Sequence, residues 1–424
     1  MSNAGRPSAA TSSMRGFLSN RMRDLRAGLS RALIVAIAVP ALSGLAADLI
    51  CGAQAAGTIP LLQGPCQTLY PAGFNQYNTT PPVTYIYGAM NANGIPDGNN
   101  PWQTGNGTDN PPPGGRNGSA LTYDLFMPQS CAAGGCPVIM MFHGGGGQLF
   151  EERAYQGIEI GSSNSGEAPR LSYPSQLTGN GYAVAVVWYP LITANNVNAF
   201  PAQVQAAVCA LRHLKANAAS LGINGDKVVT WGESAGTWFG TELAAIGSPN
   251  VGPIPDPKTG GLGTIGGVRQ HWDNPGCFTP PDATNTQVLG SVNNYGFFDA
   301  TYTQTTGSTV NSECYAYLNY FGVPLSPCPP QFSQMGMAEA GSPRYQASSA
   351  TGFQIMLRGS LDTTSTDAYN QRWLVRTQAL GIPSIYITIP NQPHGYFLLP
   401  HYTDSSFSPA VCTTLSYLQS VLNP

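Results

Sequence analysis

The pentapeptide GESAG at residues 232–236 has the residue types and spacing of a serine nucleophile on a sharp turn. A strand-like run at residues 227–231 precedes it, and a helix-like run at residues 237–246 follows it. This order is that of a nucleophile elbow, in which two glycines allow a turn where a Cβ would clash. The turn lifts the Ser234 hydroxyl out of the sheet and aims the positive end of the helix dipole at the space above it. The sequence therefore predicts Ser234 as a nucleophile.

A serine nucleophile needs hydrogen-bond donors for the oxyanion that forms on the attacked carbonyl. Residues 143–147 read HGGGG and directly follow an apolar, strand-like run at residues 137–142. Consecutive glycines leave backbone N–H groups free to point at a developing oxyanion, and an HGGG-type loop accompanies the elbow in such sites. We expect the N–H groups of Gly145, Gly146 and Ala235 to form the oxyanion hole. The alternative is a flexible surface loop.

The base that activates the serine must be a histidine, and the chain has five. His394 is the best candidate because it comes shortly after a strand-like run at residues 384–389, and α/β sheets place catalytic groups beyond the carboxyl ends of their strands. The other four histidines are weaker candidates for the base. His143 is expected to be a structural residue of the glycine loop, and His213 to lie on a solvated face of a helical pattern at residues 203–220. His271 lies in a polar, proline-rich stretch, and His401 follows an apolar segment.

The acid that orients the histidine is expected between Ser234 and His394. Asp362 follows a strand-like run at residues 353–358 and is the first choice. Asp367, five residues further on, is its rival. Asp299, which comes after a strand-like run at residues 288–292, is a weaker third candidate.

The chain order glycine loop, Ser, Asp, His is the order of the α/β-hydrolases. From about residue 121 to about residue 397 the sequence resembles the α/β-hydrolase-fold esterases and lipases with an HGGG loop, which include hormone-sensitive-lipase-like and feruloyl-esterase-like enzymes. Besides the elbow and the loop, the resemblance lies in LTYDLFMP at 121–128, GYAVAVVWY at 181–189, FPAQ at 200–203, GINGDKV at 222–228, GSVNNYG at 290–296 and SPRY at 342–345. It implies a serine hydrolase that cleaves carboxylic esters through an acyl-enzyme. Two further classes stay open: a serine peptidase or amidase of the same fold, and an inactive binding protein.

Strand-like and helix-like runs alternate from residue 120 onward, which predicts a mostly parallel central sheet with helices on both faces. We expect one catalytic domain at residues 56–424, with a loop-rich lead-in that contains a strand at residues 83–87 and with a final helix at residues 409–422. Two long stretches, about 248–286 and about 301–350, resemble lid-like insertions over the site.

Aromatic residues in these two stretches could form an apolar acyl or aryl pocket. They are Trp272, Phe278, Tyr302, Tyr315, Tyr317, Tyr320 and Phe321. Such a pocket would favour short-to-medium acyl or aromatic esters. The alternative is that these side chains only pack the insertions onto the domain.

Residues 1–55 have the features of an export signal. Five arginines between residues 15 and 31 precede an apolar run at residues 32–45, and the alanine-rich tripeptides LAA at 45–47 and AQA at 53–55 offer possible cleavage sites. The apolar run is short for a spanning helix, and an uncleaved anchor is the alternative. We expect a secreted or periplasmic protein with no membrane span in its mature form.

Nine cysteines in an exported chain suggest disulfides, and cleavage after Cys51 would leave eight. We predict two local pairs, Cys131 with Cys136 and Cys314 with Cys328. The cysteines and histidines show no spacing typical of a metal site, and no cofactor is expected. Charged residues make up only 9% of the chain and its net charge is −3, so composition favours neither nucleic acid nor an anionic membrane as partner. The expected partner is a small-molecule or polymer-borne ester.

Overall fold

The computed structural model describes residues 58–62, 82–89, 120–147, 173–191, 200–246, 264–265, 268–269, 277–279, 285–306, 309–312, 338–396, 398 and 405–422. All of them belong to one compact unit, Gln54–Pro424. The proposed export signal, most of the two predicted insertions, His271, His401 and the predicted pair Cys314–Cys328 lie outside the described residues.

The described strands are β1 Val83–Ala89, β2 Ala120–Phe126, β3 Cys136–Phe142, β4 Ala183–Trp188, β5 Ile223–Glu233, β6 Thr264–Ile265, β7 Val268–Arg269, β8 Gly290–Asn294, β9 Thr303–Thr306, β10 Thr309–Ser312, β11 Phe353–Gly359 and β12 Ser384–Ile389. The described helices are α1 Tyr173–Gly179, α2 Ala202–Ala216, α3 Ala218–Leu221, α4 Gly236–Ile246, α5 Pro343–Gln346, α6 Asp367–Ala379 and α7 Ser408–Leu422.

Eight strands form one sheet in the order β1-β2-β4-β3-β5-β8-β11-β12. The β1–β2 and β2–β4 pairings are antiparallel, whereas all pairings from β4 to β12 are parallel. The carboxyl ends of β3, β5, β8, β11 and β12 therefore lie along one edge of the sheet. The prediction of a mostly parallel central sheet is confirmed.

The interior strands are buried on both faces, as their nearly continuous apolar sequences require. Every residue of β3 and of β4 is buried. Helices α2 and α4 cover one face, where their apolar side chains form a single cluster, and α7 covers the other. Helix α4 approaches the sheet closely at Gly240, where a Cβ would lie 3.2 Å from the Thr230 hydroxyl of β5. This close packing fixes the helix that begins directly after Ser234.

Two disulfides join described residues. Cys131–Cys136 closes the turn into β3 and confirms one of the predicted pairs. Cys209–Cys277 ties α2 to a segment 68 residues away, a separation too large for a local prediction from sequence. Cys412 on α7 is disulfide-bonded as well. Within the described part of the chain, no helix has the length and apolarity to cross a bilayer.

Candidate active site

Ser234 occupies a sharp turn between β5 and α4. Its φ of 49° lies in the left-handed region that a non-glycine residue rarely adopts, which is the backbone strain expected of a nucleophile on an elbow. Its backbone N–H donates to the carbonyl of Asn294 at 3.0 Å, which ties the turn to the end of β8. The side chain is half-buried.

The glycines that flank the serine are required by close backbone contacts. A Cβ on Gly232 would collide with the backbone of Thr237, and a Cβ on Gly236 would collide with the carbonyl oxygens of Phe142 and His143. The second contact places the start of α4 directly against the start of the glycine loop. The loop and the nucleophile turn are therefore neighbours in space.

Gly236→Ala should destabilise the protein by about 1–3 kcal/mol and lower its activity, because the elbow or the loop must move to admit the methyl group. Gly381→Ala is the matched control. Gly381 has a positive φ of 72° but no atom within 4 Å of its would-be Cβ, so this change adds backbone strain without a collision. Thermal denaturation and kcat/KM of both variants check the prediction, and unaltered activity in Gly236→Ala would contradict it.

Three predicted residues meet at the carboxyl edge of the sheet. Ser234 follows β5, Asp362 follows β11, and His394 follows β12. The Ser234 Oγ lies 2.9 Å from His394 Nε2, and His394 Nδ1 lies 2.9 Å from Asp362 Oδ2. The Asp362 side chain is fully buried, whereas 26% of the His394 side chain is exposed. This arrangement can pass a proton from the hydroxyl to the imidazole, while the carboxylate holds the ring.

The second carboxylate oxygen of Asp362 has its own partners. Asp362 Oδ1 accepts hydrogen bonds from the backbone N–H groups of Thr364 and Ser365, at 2.8 and 2.9 Å. Arg358, on β11, donates to the backbone carbonyls of Asp362 and Ser365. These contacts fix the carboxylate so that only Oδ2 faces the histidine.

The two other candidate acids are engaged elsewhere. Asp367 is the first residue of α6, and its carboxylate accepts the Tyr386 hydroxyl at 2.8 Å. Asp299 forms ion pairs with Arg344 and Arg372, at 3.3 and 3.0 Å. The structure therefore brings only Asp362, of the three, to the imidazole of His394.

Two of the other histidines lie in the described part of the chain, and the ring of each contacts groups other than Ser234. His143 is fully buried in the glycine loop and its Nδ1 lies 2.8 Å from the Gly144 carbonyl, which fits the structural role predicted for it. His213 contacts the Tyr123 hydroxyl at 3.0 Å, and burial lowers its pKa to about 4. His213 is half-buried, so the helix face predicted to be solvated is only partly exposed where the end of α2 packs against β2.

Tyr295 borders the histidine and contacts Glu233, and the sequence analysis indicated neither residue. The Tyr295 ring meets the His394 imidazole edge-on, with 4.7 Å between centroids. Its φ is 44°, and its hydroxyl donates to the buried carboxylate of Glu233 at 3.0 Å. Glu233 is the residue directly before Ser234 in the GESAG pentapeptide. The signal that could have indicated Tyr295 is its place in the GSVNNYG segment.

The glycine loop has the backbone freedom that an oxyanion hole requires. Gly145, Gly146 and Gly147 have φ values of 93°, 64° and 74°, in the region that favours glycine. Gly145 and Gly146 are half-exposed, whereas Gly147 is buried. Gly145 and Gly146, the two glycines predicted to supply oxyanion donors, are thus the more exposed part of the loop.

Two of the aromatic residues predicted to line a pocket are described. The Tyr302 ring packs edge-on against the Tyr369 ring, with 5.7 Å between centroids, and the Arg372 guanidinium carbon lies 4.2 Å from the Tyr302 ring centroid. These contacts favour the alternative that Tyr302 packs its segment onto the domain. Phe278 is half-buried, and its backbone N–H donates to the Tyr87 carbonyl of β1. The remaining five, Trp272, Tyr315, Tyr317, Tyr320 and Phe321, lie outside the described residues.

Comparison with protein families gives one match. The BD-FAE family model, which describes an α/β-hydrolase-like esterase domain, matches residues 123–319. The matched segment contains the glycine loop and Ser234, but it ends before Asp362 and His394. No curated protein sequence matches the chain.

Solved structures of esterases have a similar fold. One is a truncated carbohydrate esterase from gut microbiota, with a TM-score of 0.50 and 15% identity over 72% of this chain and 92% of that one. Another is an acetyl ester-xyloside bifunctional hydrolase from Caldicellulosiruptor lactoaceticus, with a TM-score of 0.50 and 15% identity over 80% of this chain and 98% of that one. Similarity at this level of identity establishes the fold, which is that of the α/β-hydrolases.

Proposed function

We propose that this protein, a carboxylic ester hydrolase of the α/β-hydrolase fold, is exported and cleaves its substrate through Ser234, His394 and Asp362. The observation that carries the proposal is the continuous line of contacts from the Ser234 Oγ through the imidazole to the Asp362 carboxylate, with 2.9 Å at each step. A nucleophile, a base and a group that orients the base are the parts that acyl transfer requires.

In the first half of the proposed reaction, the Ser234 Oγ attacks the ester carbonyl while His394 Nε2 takes the hydroxyl proton. The negative charge on the carbonyl oxygen is held by the N–H groups of Gly145, Gly146 and Ala235, and the loss of one such donor costs about 10²–10³ in rate. The bond to the alcohol oxygen then breaks, and His394 returns its proton to the leaving alcohol. The acyl group remains on Ser234 as an ester.

In the second half, water takes the place of the alcohol. His394 Nε2 removes a proton from the water as the water attacks the acyl carbonyl, and the same donors hold the new oxyanion. The bond to the Ser234 Oγ breaks, and the serine recovers its proton from His394. Asp362, whose side chain is fully buried, orients and stabilises the imidazolium in both halves.

Export is supported by the disulfide bonds of the chain. Disulfides persist in oxidising compartments, and Cys131–Cys136 and Cys209–Cys277 join described residues. The arginine-rich, apolar pattern of residues 1–55 fits a cleavable signal. N-terminal sequencing of the exported protein would locate the cleavage site.

A panel of chromogenic esters and amides should show hydrolysis of 4-nitrophenyl esters with short-to-medium acyl chains and of aromatic esters, and no measurable hydrolysis of peptide anilides. The panel includes an acetylated sugar, because two proteins of similar fold are named for carbohydrate or acetyl-ester substrates. A fluorophosphonate probe identifies the labelled serine by peptide mapping. Amide hydrolysis without ester hydrolysis, or labelling at a residue other than Ser234, would contradict the proposal.

The same panel tests the predicted aromatic pocket with Trp272→Ala and Tyr315→Ala. If these two side chains line the acyl pocket, the dependence of kcat/KM on acyl length should differ from wild type in at least one variant. Unchanged selectivity in both would assign these side chains to packing.

A further inference from the structure

We propose that Tyr189 and Gln203 are positioning residues that hold the glycine loop in the geometry of an oxyanion hole. The inference rests on the proposed function, since it concerns how the N–H donors of that site are aimed. Neither residue belongs to the loop, the nucleophile turn or the triad. Both are fully buried.

A loop of consecutive glycines does not hold its own shape. Glycine has more backbone freedom than any other residue, and three successive loop glycines adopt positive φ values. An oxyanion hole acts because its donors are already in place when charge develops on the substrate, so they need no reorganisation during the reaction. Side chains outside the loop must therefore fix its backbone.

Tyr189 fixes the first part of the loop. It follows β4 directly, and its hydroxyl lies 2.7 Å from the His143 carbonyl and 3.1 Å from the Gly144 carbonyl. Its ring stacks on the His143 imidazole, with 4.3 Å between centroids. On α4 it contacts Phe239, with 4.4 Å between centroids. Tyr189 thus connects the loop to the helix that begins at the nucleophile turn.

Gln203 fixes the end of the loop. It is the second residue of α2, and its side-chain amide nitrogen donates both hydrogens, to the Gly147 carbonyl at 3.0 Å and to the Pro190 carbonyl at 2.9 Å. Pro190 is the residue after Tyr189. The two side chains therefore hold the loop at both ends and are linked to each other through the same short segment.

Carbonyl contacts on one side of the loop determine where its N–H groups point. A peptide unit is planar and trans, so the carbonyl of one residue and the N–H of the next point in opposite directions. The Gly144 carbonyl accepts from the buried side, where Tyr189 and the His143 ring lie. The N–H of Gly145, in the same peptide unit, is consequently directed away from that side, toward the half-exposed part of the loop.

The test compares Tyr189→Phe and Gln203→Met with Tyr123→Phe. The first two changes keep side-chain volume and remove the contacts to the loop. Tyr123→Phe removes a buried hydroxyl contact of the same core cluster, to His213, without touching the loop. For each variant we would measure kcat and KM with a short-chain ester, the inhibition constant of a trifluoromethyl ketone, and the melting temperature.

We expect Tyr189→Phe and Gln203→Met to lower kcat by about 10- to 100-fold with little change in KM, because a small misplacement of the donors weakens only transition-state contacts. The inhibition constant should rise in parallel, since the ketone adduct places its oxyanion in the same hole. Tyr123→Phe should lower the melting temperature and leave kcat and the inhibition constant unchanged.

Wild-type kcat and inhibitor affinity in both loop variants would overturn the inference, and so would an effect on KM alone. If Tyr189→Phe does not fold, the kcat and the inhibition constant of Gln203→Met test the inference by the same criteria. A wild-type protein that hydrolyses no ester and does not bind the ketone would instead refute the proposed function.

Discussion

Ser234→Ala is expected to lower kcat for ester hydrolysis by about 10⁶-fold while the protein stays folded. The Ser234 Oγ is the only atom of the proposed triad that would bond to the substrate, and its removal leaves the water reaction and whatever the oxyanion donors contribute. The side chain is half-buried and lies 2.9 Å from the His394 imidazole, so no buried core contact is lost. Kinetics with a 4-nitrophenyl ester measure the loss, and circular dichroism shows whether the fold is kept.

Ser220→Ala is the matched control for this variant. Ser220 is exposed, lies on the short helix α3, and its hydroxyl donates only to the nearby Asn217 carbonyl among the contacts of the described residues. It should keep wild-type kcat and react with a fluorophosphonate, whereas Ser234→Ala should not react. Residual turnover of Ser234→Ala near the wild-type value would assign the nucleophile to another residue.

The elements that position the site could be predicted from sequence because each is bounded by local signals. The run predicted at residues 384–389 is β12, and the run predicted at residues 353–358 is β11 with one residue added. In both cases a run rich in apolar and β-branched residues ends at a glycine, proline or polar turn. Ser234, His394 and Asp362 lie next to such boundaries, which is why the sequence could indicate them.

Predictions of boundaries failed where side chains compete with the backbone. The helical pattern at residues 203–220 forms two helices with Asn217 between them, where the Asn217 side-chain amide competes with backbone donors for the His213 carbonyl, at 2.8 Å. The strand-like run predicted at residues 227–231 is only part of β5, which already begins at Ile223 and pairs with β3 across an irregularity. Neither effect appears in the periodicity of apolar residues.

The contacts around the site could not be predicted, because they join residues far apart in the chain. Tyr189 and Gln203 act on a glycine loop more than 40 positions away, and the Tyr295 hydroxyl reaches Glu233 at a separation of 62. A single sequence shows which residues can donate or accept, but the sheet order decides which of them meet. For the same reason Cys209–Cys277 could not be predicted, whereas Cys131–Cys136 could.

Asp362→Asn is expected to lower kcat by about 10⁴-fold, and the structure gives the reason. Asp362 Oδ1 accepts two backbone N–H groups, from Thr364 and Ser365. In the asparagine variant the amide oxygen must take that place, because the amide nitrogen cannot accept. The amide nitrogen then faces His394 Nδ1 and donates to it, which moves the imidazole proton to Nε2. A protonated Nε2 cannot accept the Ser234 proton, and no carboxylate remains to stabilise the imidazolium.

Asp367→Asn is the matched comparison, because it makes the same chemical change five residues away. Asp367 accepts the Tyr386 hydroxyl at an exposed position on α6, so its replacement should leave kcat within about twofold of wild type. The pH dependence of kcat/KM for both variants separates a tautomer effect from a folding defect, since a folding defect lowers the amount of active protein without removing the base. Should Asp367→Asn lose activity and Asp362→Asn keep it, Asp367 would be the acid in solution, and the loop after β11 would have to rearrange to bring it to His394.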